Sequence, residues 1–220
     1  ASEAMGKSLT KLEEVNVDDI RQAFVDGNAA VRKLNEALGL WENHDYYVRD
    51  LAGAVASCAI EKGGEIIYGY IGDCGVAHIS AKGEILWHSD DDVAVARPGF
   101  PPMEERPAFA SATDKVKERF VKVRRDFRNN PTANYKTFGV LTGEDTALAD
   151  VKTGQRVYTP GDVLVVFSDG IAPFVFEDLE FRKLLLKGYR EEIQQYVTER
   201  SSQEKDYDEK TLILLQTGKE

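Results

Sequence analysis

The segment "VLVVFSDG", residues Val163 to Gly170, joins a run of apolar, mostly β-branched residues to an acid and a glycine. The apolar run predicts a buried strand. Asp169 then lies at the tip of that strand, where burial of a carboxylate costs free energy unless a positive charge compensates it. We interpret the pattern as a carboxylate that a rigid strand aims at a bound cation.

Two other acids occur at strand ends. "YGYIGD" places Asp73 directly after a second apolar run, and Asp208 precedes the last one, "TLILL". Hard divalent cations prefer carboxylate and water oxygens, and a neighbouring glycine lets backbone or water come close. Each acid alone could belong to an ordinary turn, because Asp-Gly is a common turn dipeptide. Together Asp73, Asp169 and Asp208 form a candidate set of metal ligands.

The composition indicates one soluble domain. The chain has 220 residues, of which 42% are hydrophobic and 10% aromatic, which suits a single well-packed core. Its 28 basic and 38 acidic residues give a net charge of −10, which disfavours nucleic acid and anionic membranes as partners and favours cations. No apolar run is long enough to span a bilayer, and the polar amino terminus differs from a signal peptide. We therefore expect a cytoplasmic protein, and the sequence leaves its oligomeric state open.

The cysteines and histidines do not form a recognisable metal motif. Cys58 and Cys74 lie in strand-like runs without the spacing of a zinc site, so we expect buried, reduced thiols rather than a disulfide. The histidines, His44, His78 and His88, stand in unrelated settings. Oxygen ligands, and therefore Mg²⁺ or Mn²⁺, fit this sequence better than nitrogen or sulfur ligands.

Periodicity divides the chain into helical and strand-like parts. Apolar residues recur at helical spacing from Leu9 to Leu38, with polar residues 16–19 as the expected cap of a second helix and Gly39 as its end. Residues 53–89 hold short apolar runs between glycine turns, which predicts an antiparallel meander. Further strand-like runs are expected over 135–143 and 147–170, with turns at Thr153-Gly154 and Pro160-Gly161, followed by helices over about 177–187 and 189–200 and a last strand.

Residues 89–134 interrupt this pattern and look like an insertion. They begin with the acidic run "SDDD", which we interpret as a solvated loop. "DKVKERFVKVRRDFRNN", residues 114–130, then predicts an amphipathic helix with Val116, Phe120, Val123 and Phe127 packed inward. Its positive charges are more simply explained as a solvated face, and the alternative is a docking site for a phosphoprotein or another acidic partner.

Five segments, taken in order, carry a family resemblance. They are Gly72-Asp73, Leu141-Thr142-Gly143, Pro160-Gly161-Asp162, Ser168-Asp169-Gly170, and Asp208 with Thr211. In this combination the sequence resembles the metal-dependent protein serine/threonine phosphatases of type 2C, from the first helix to the final strand. The resemblance implies an α+β fold, a four-layer α/β/β/α sandwich of two antiparallel sheets flanked by helices. It also implies a single phosphatase-like domain over residues 1–220, with residues 89–134 as a flap-like insertion.

The resemblance implies an activity and a role for each acid. The activity is hydrolysis of phosphoserine and phosphothreonine in phosphorylated proteins, with Mg²⁺ or Mn²⁺ as cofactor and a metal-activated water, rather than a side chain, as nucleophile. Asp169 is then a ligand of the core metal pair and Asp208 a ligand of the first metal. Asp73 together with Asp169 holds a third metal. No residue of this sequence matches the phosphate-binding arginine of the family.

One family motif is absent, which leaves two functions open. The amino-terminal Asp-Gly-x-Gly-Gly turn is not found, and Asp26-Gly27 is no substitute because it lies within helical periodicity. We expect the strands that carry this motif to precede Ala1, because a sheet without them would leave an uncovered edge. The alternative is a catalytically inactive, phosphatase-like binding or regulatory module. Cys74-Gly75 in place of Ser-Arg, and Glu209 in place of Asn, change the charge near the expected site.

Overall fold

The structure is a computed structural model and describes residues 1–10, 14–102, 113–204 and 209–217. These residues contain seven strands and seven α-helices. None of these described helices is long and apolar enough to cross a membrane. The strands are β1 (Ala56–Lys62), β2 (Glu65–Ile71), β3 (Gly75–Ile79), β4 (Ile85–His88), β5 (Lys152–Val157), β6 (Val163–Phe167) and β7 (Leu212–Gln216). The helices are α1 (Ser2–Leu9), α2 (Val17–Ala37), α3 (Asp92–Ala96), α4 (Asp114–Lys122), α5 (Ala172–Glu177), α6 (Leu179–Lys187) and α7 (Arg190–Glu204).

The strands form two antiparallel sheets that stack face to face. One sheet has the order β1-β2-β5, and the other has the order β4-β3-β6-β7. Helices α1 and α2 cover the outer face of the first sheet, while α5, α6 and α7 cover the outer face of the second. These four layers confirm the predicted α/β/β/α sandwich. The meander predicted over residues 53–89 is divided, because its first hairpin belongs to one sheet and its second hairpin to the other.

Strand β6 contributes to two cores at once. Val163, Val165 and Phe167 pack against the outer helices, whereas Leu164 and Val166 pack between the two sheets. Successive side chains of a strand point to opposite faces, so a strand covered on both sides must be apolar throughout. The uninterrupted apolar run therefore follows from the four-layer architecture.

The start and end of α2 match their sequence signals. Asn16 Oδ1 accepts hydrogen bonds from the N–H groups of Asp18 and Asp19, and the Asp19 carboxylate accepts one from the Asn16 N–H. This reciprocal pattern is a capping box, which satisfies backbone donors that the helix cannot pair internally. Gly39 ends the segment with a φ of +67°. Asp26-Gly27 lies inside α2, as predicted.

Two predictions about the strands before β6 are wrong. Thr153-Gly154 lies within β5 and pairs with β2 instead of forming a turn. A Cβ on Gly154 would lie 2.6 Å from the Tyr68 hydroxyl oxygen, so glycine makes room for that ring. Residues 135–143 form isolated bridges rather than a strand, because the Asn129 side chain takes both backbone hydrogen bonds of Val140, at 2.8 and 2.9 Å.

The helix predicted near the end of the insertion is confirmed. It appears as α4 and continues as a π-helical turn over Val123–Phe127. Phe127 is buried, and Val123 packs in the same cluster, while Val116 and Phe120 are half-buried. Residues 103–112 lie outside the described residues. The limits of the insertion at 89 and 134, and the single domain over residues 1–220, stay predictions.

Both cysteines are free thiols, and Cys74 is buried as predicted, whereas Cys58 is half-buried. Burial raises the pKa of Cys58 to about 11 and the pKa of Cys74 to about 12. Both thiols are therefore protonated at neutral pH, which makes them poor nucleophiles and poor metal ligands.

Candidate metal site at the strand ends

Asp73 and Asp169 lie at the same end of the second sheet. In the antiparallel pair β3-β6, Gly75 stands opposite Phe167. Asp73 precedes Gly75 by two residues and Asp169 follows Phe167 by two residues, so this register brings both acids to one edge. Strand pairing thus unites two carboxylates that are far apart in the sequence.

The segment that leads into β7 is fixed beside Asp169. The Ser168 N–H donates to the Thr211 carbonyl oxygen at 3.0 Å, and the Thr211 N–H donates to Ser168 Oγ at 2.9 Å. These bonds hold the chain before β7 at the same edge of the sheet. Asp208, the third predicted ligand, lies outside the described residues, so its position relative to Asp169 stays a prediction.

The two acids interact electrostatically. Burial raises the pKa of the Asp73 carboxyl, and the negative charge of Asp169 raises it further. Asp91 adds to this repulsion, whereas the positive charge of Arg97 opposes it. Asp169 itself is oriented by the Gly170 N–H, which donates to its Oδ1 at 2.9 Å. A cation bound at this edge would remove the repulsion, since it stabilises the ionised form of both carboxyls.

The acidic run "SDDD" is only partly the solvated loop that was predicted, because Asp90 and Asp91 are exposed whereas Asp92 is buried. Asp91 caps α3, because its Oδ1 accepts a hydrogen bond from the Ala94 N–H at 2.8 Å. Asp92 is buried and forms an ion pair with Lys152, and its N–H donates to the Gly72 carbonyl oxygen at 3.2 Å. An acid before a short apolar run is a recognisable N-cap signal. The partnership with a lysine on β5 has no local signal in the sequence.

Asp92 and Asp150 form a second group of acids, which differs from Asp73 and Asp169 because Lys152 lies beside it. Burial raises the pKa of Asp92, and the hydrogen bond and charge of Lys152 oppose that rise. Burial also raises the pKa of Asp150, and Asp92 adds to the effect. The protein therefore supplies its own positive charge to Asp92, while Asp73 and Asp169 have no such ion pair within the described ranges.

Asp162, in the motif Pro160-Gly161-Asp162, has a structural role. Its buried carboxylate accepts hydrogen bonds from the N–H groups of Thr159 and Ala81, each at 3.0 Å, and from His78 Nε2 at 2.9 Å. Burial opposes ionisation, but these hydrogen bonds outweigh it and hold the pKa of Asp162 below its usual value. The residue joins the turns before β4 and β6, and it lies apart from the strand-end acids.

Replacement of Asp162 by asparagine is expected to lower the free energy of unfolding by about 2 kcal/mol at pH 7, because an amide nitrogen cannot accept these hydrogen bonds. A depressed pKa stabilises the fold above the unfolded pKa of about 4, and this stabilisation is lost as the pH falls through the folded pKa. Urea denaturation of Asp162→Asn from pH 7 to pH 3 should therefore show a weaker acid dependence than the wild type. An acid dependence equal to that of the wild type would contradict this role, and the exposed Asp145→Asn serves as control.

Comparison with solved structures identifies the fold. The catalytic domain of the serine/threonine phosphatase PstP with two manganese ions superposes with a TM-score of 0.61 at 16% identity, covering 97% of this chain and 78% of that chain. The chain has the type 2C phosphatase fold. The Mycobacterium tuberculosis phosphatase PstP/Ppp gives a TM-score of 0.59 at 16% identity (97% and 79% covered), and the S. agalactiae serine/threonine phosphatase gives 0.60 at 15% identity (98% and 78% covered). No family model and no curated protein matches the sequence.

Within this type 2C fold, the strand-end acids offer the oxygen donors that a hard divalent cation prefers. The carboxylates of Asp73 and Asp169 are oxygen donors that repel each other, which is the environment that Mg²⁺ or Mn²⁺ stabilises. The histidines are engaged elsewhere, with His78 on Asp162 and His88 Nδ1 near the Ser89 carbonyl oxygen at 2.8 Å. In the described ranges, no three His, Cys, Asp or Glu residues converge closely enough to hold an ion.

Proposed function

We propose that this chain hydrolyses phosphoserine and phosphothreonine in proteins, with a divalent cation as cofactor. The observation that carries the proposal is the pair Asp73 and Asp169, which repel each other at one edge of a type 2C sandwich. The nearby acid Asp92 is neutralised by Lys152, so the fold has the means to compensate a buried carboxylate with its own cation. Asp73 is half-buried and Asp169 is exposed, and neither has such an ion pair within the described ranges, which leaves both carboxylates accessible to an external cation.

We assign Asp169, Asp73 and Asp208 as ligands and Mg²⁺ or Mn²⁺ as the cation. Both ions prefer carboxylate oxygens, and the similar PstP domain was solved with two manganese ions. When bound, such a cation offsets the negative charge of the phosphate and makes water a better nucleophile at neutral pH. The free, protonated thiols of Cys58 and Cys74 suit a reducing compartment, so we also propose the cytoplasm as its location.

The residues of this chain supply orientation. The rigid strand β6 carries Asp169, and Ser168 ties that strand end to β7 through its Oγ. The Gly170 N–H holds the Asp169 carboxylate through Oδ1 and leaves the other oxygen available to a cation. A ligand held by a strand in this way keeps its geometry while the substrate changes, which favours catalysis.

The proposal is tested with p-nitrophenyl phosphate, a small substrate that needs no protein recognition. Turnover is expected with 1 mM Mn²⁺ and is expected to vanish with excess EDTA and to return when Mn²⁺ is added back. In the same samples, Mn²⁺ at about 100 times its dissociation constant should add about 2.7 kcal/mol to the free energy of unfolding. For a chain of this size that corresponds to a rise in Tm of roughly 5 to 10 °C. Ca²⁺, which coordinates less rigidly, is the control ion for turnover.

A catalytically inactive binding or regulatory module is the second candidate function. It is favoured by the lack of three converging metal-binding side chains among the described residues. The two functions differ in the experiment above, because the absence of turnover with Mn²⁺ would support the inactive module whether or not Tm rises. The absence of both turnover and a shift in Tm would contradict the metal site itself.

A further inference from the structure

The segment 113–128, which comprises α4 and the π-helical turn, has the opposite charge to the rest of the chain. It contains seven basic and three acidic residues, whereas the whole chain has a net charge of −10. Such a local reversal produces a positive surface on an otherwise negative protein, and a surface of this kind attracts acidic partners.

Part of this positive charge has a structural role. Arg128 binds Asp50 through both terminal nitrogens, at 2.8 and 2.9 Å, and Arg124 contacts the same carboxylate at 3.2 Å. Arg124 also donates to the Tyr46 carbonyl oxygen at 3.0 Å. These two arginines attach the segment to the loop before β1, and their charges are used within the protein.

Three further basic residues form a stripe in which Lys115 and Lys122 are exposed and Arg119 is half-buried. Lys115, Arg119 and Lys122 follow at four- and three-residue spacing, which places them on one side of α4. Lys122 pairs with Asp126, whereas Lys115 and Arg119 form no ion pair with any residue of the described ranges. Within the part of the chain that the structure describes, these two charges therefore have no ionic partner.

A groove beside the same helix gives an extended peptide a place to lie. It has a volume of about 480 Å³. Its walls include Tyr47, Val121 and the basic residues Lys117, Lys122 and Arg125, together with two acids. Lys122 borders both the groove and the stripe, so the two features form one surface.

A chain of contacts links the segment 113–128 to the strand-end acids. The ring of Phe127 in the π-helical turn packs on Phe100, with 5.0 Å between the ring centroids, directly after the 3₁₀ turn Arg97–Gly99. That turn continues α3, whose first residue, Asp92, donates its N–H to the carbonyl oxygen of Gly72, the residue before Asp73, at 3.2 Å. The π-helical turn is thus joined to the sheet edge that carries Asp73 through Phe100 and α3.

We propose that the stripe and groove of α4 bind acidic residues that flank the phosphorylated residue of the substrate protein. The proposal rests on the proposed function, because it places the scissile phosphate at the strand-end acids. The partner is a phosphoprotein segment rich in Asp and Glu, since its carboxylates complement Lys115 and Arg119 while the rest of the surface repels other acidic molecules.

The test uses two phosphothreonine peptides that differ only in their flanks, three Glu or three Gln on each side. The wild type is expected to show about a tenfold lower KM for the Glu peptide at 50 mM NaCl with equal kcat, and the difference should shrink at 300 mM NaCl. The variant Lys115→Glu/Arg119→Glu should lose this preference and retain its turnover of p-nitrophenyl phosphate. The matched control Lys33→Glu/Lys62→Glu changes the net charge equally on exposed residues elsewhere and should keep the preference.

A binding measurement separates this proposal from the proposed function. Fluorescence anisotropy with a labelled, unphosphorylated Glu peptide in EDTA should show binding that only the Lys115→Glu/Arg119→Glu variant weakens. Such binding without any phosphatase turnover would support the docking surface and defeat the enzymatic proposal. Equal weakening by the control variant, no preference for Glu in the wild type, or equally tight binding of a DNA oligonucleotide of the same charge would overturn the docking surface.

Discussion

Asp169→Asn is expected to reduce kcat for phosphorylated substrates by about 100-fold or more, which corresponds to about 2.7 kcal/mol of transition-state stabilisation. The amide keeps the shape of the side chain and an oxygen that accepts from the Gly170 N–H. It removes the negative charge that would bind a cation and that repels the carboxylate of Asp73. The loss should therefore appear in turnover and in Mn²⁺ affinity, and not in folding.

The stability measurement makes this prediction specific. Without metal, Asp169→Asn should unfold at the same urea concentration as the wild type or at a higher one, because one repulsive pair is gone. Asp145→Asn changes the same net charge at an exposed position of the 3₁₀ turn Asp145–Asp150 and should alter neither turnover nor stability. Wild-type turnover in Asp169→Asn, or a lost fold, would exclude the role that we assign to this carboxylate.

Gly143→Ala is expected to lower the free energy of unfolding by about 3 to 4 kcal/mol, or Tm by roughly 10 °C. Gly143 has a φ of +92°, and its added Cβ would lie 2.5 Å from both the Cα and the Cβ of Arg32. These atoms belong to the body of α2, so the whole helix would have to move away from the loop. Circular dichroism with urea, compared with the wild type, measures the change.

Gly39→Ala distinguishes backbone strain from steric overlap. Gly39 also has a positive φ, +67°, but a Cβ at this position would meet no atom within 4 Å. Its replacement should cost only the strain of the left-handed conformation, about 1 kcal/mol. If both variants lost the same stability, close contact between α2 and the loop would not be the reason for glycine at position 143.

Most of the individual elements could be predicted from the sequence. The polar residues at 16–19 cap α2, and the apolar run over Val163–Phe167 forms β6, because capping and burial act on neighbouring residues. The error at Thr153-Gly154 has a different origin. Its turn preference is local, but β5 is held by pairing with β2 far away in the sequence, and that pairing is stronger.

The candidate site was likewise predictable from the sequence only in part. Asp73 and Asp169 are recognisable as strand-end acids from the order of residues alone, and the fold brings them together. The burial of Asp92 and its pairing with Lys152 could not be predicted, because β5 must first dock beside α3. Asp208 follows the same strand-end rule, and its role is a prediction that metal-binding measurements on Asp208→Asn would test.

The sequence by itself determined most of the elements of this protein and the type of donor atom at its strand ends, since periodicity, capping and donor type are properties of short segments. Only the tertiary structure decided which strands share a sheet, which acids face each other and which are neutralised by the chain. It also decided which basic residues of the segment 113–128 form ion pairs within the protein and which do not. These outcomes depend on register and packing between segments that are distant in the sequence. Such contacts form, and contribute to stability, only when the layers have assembled.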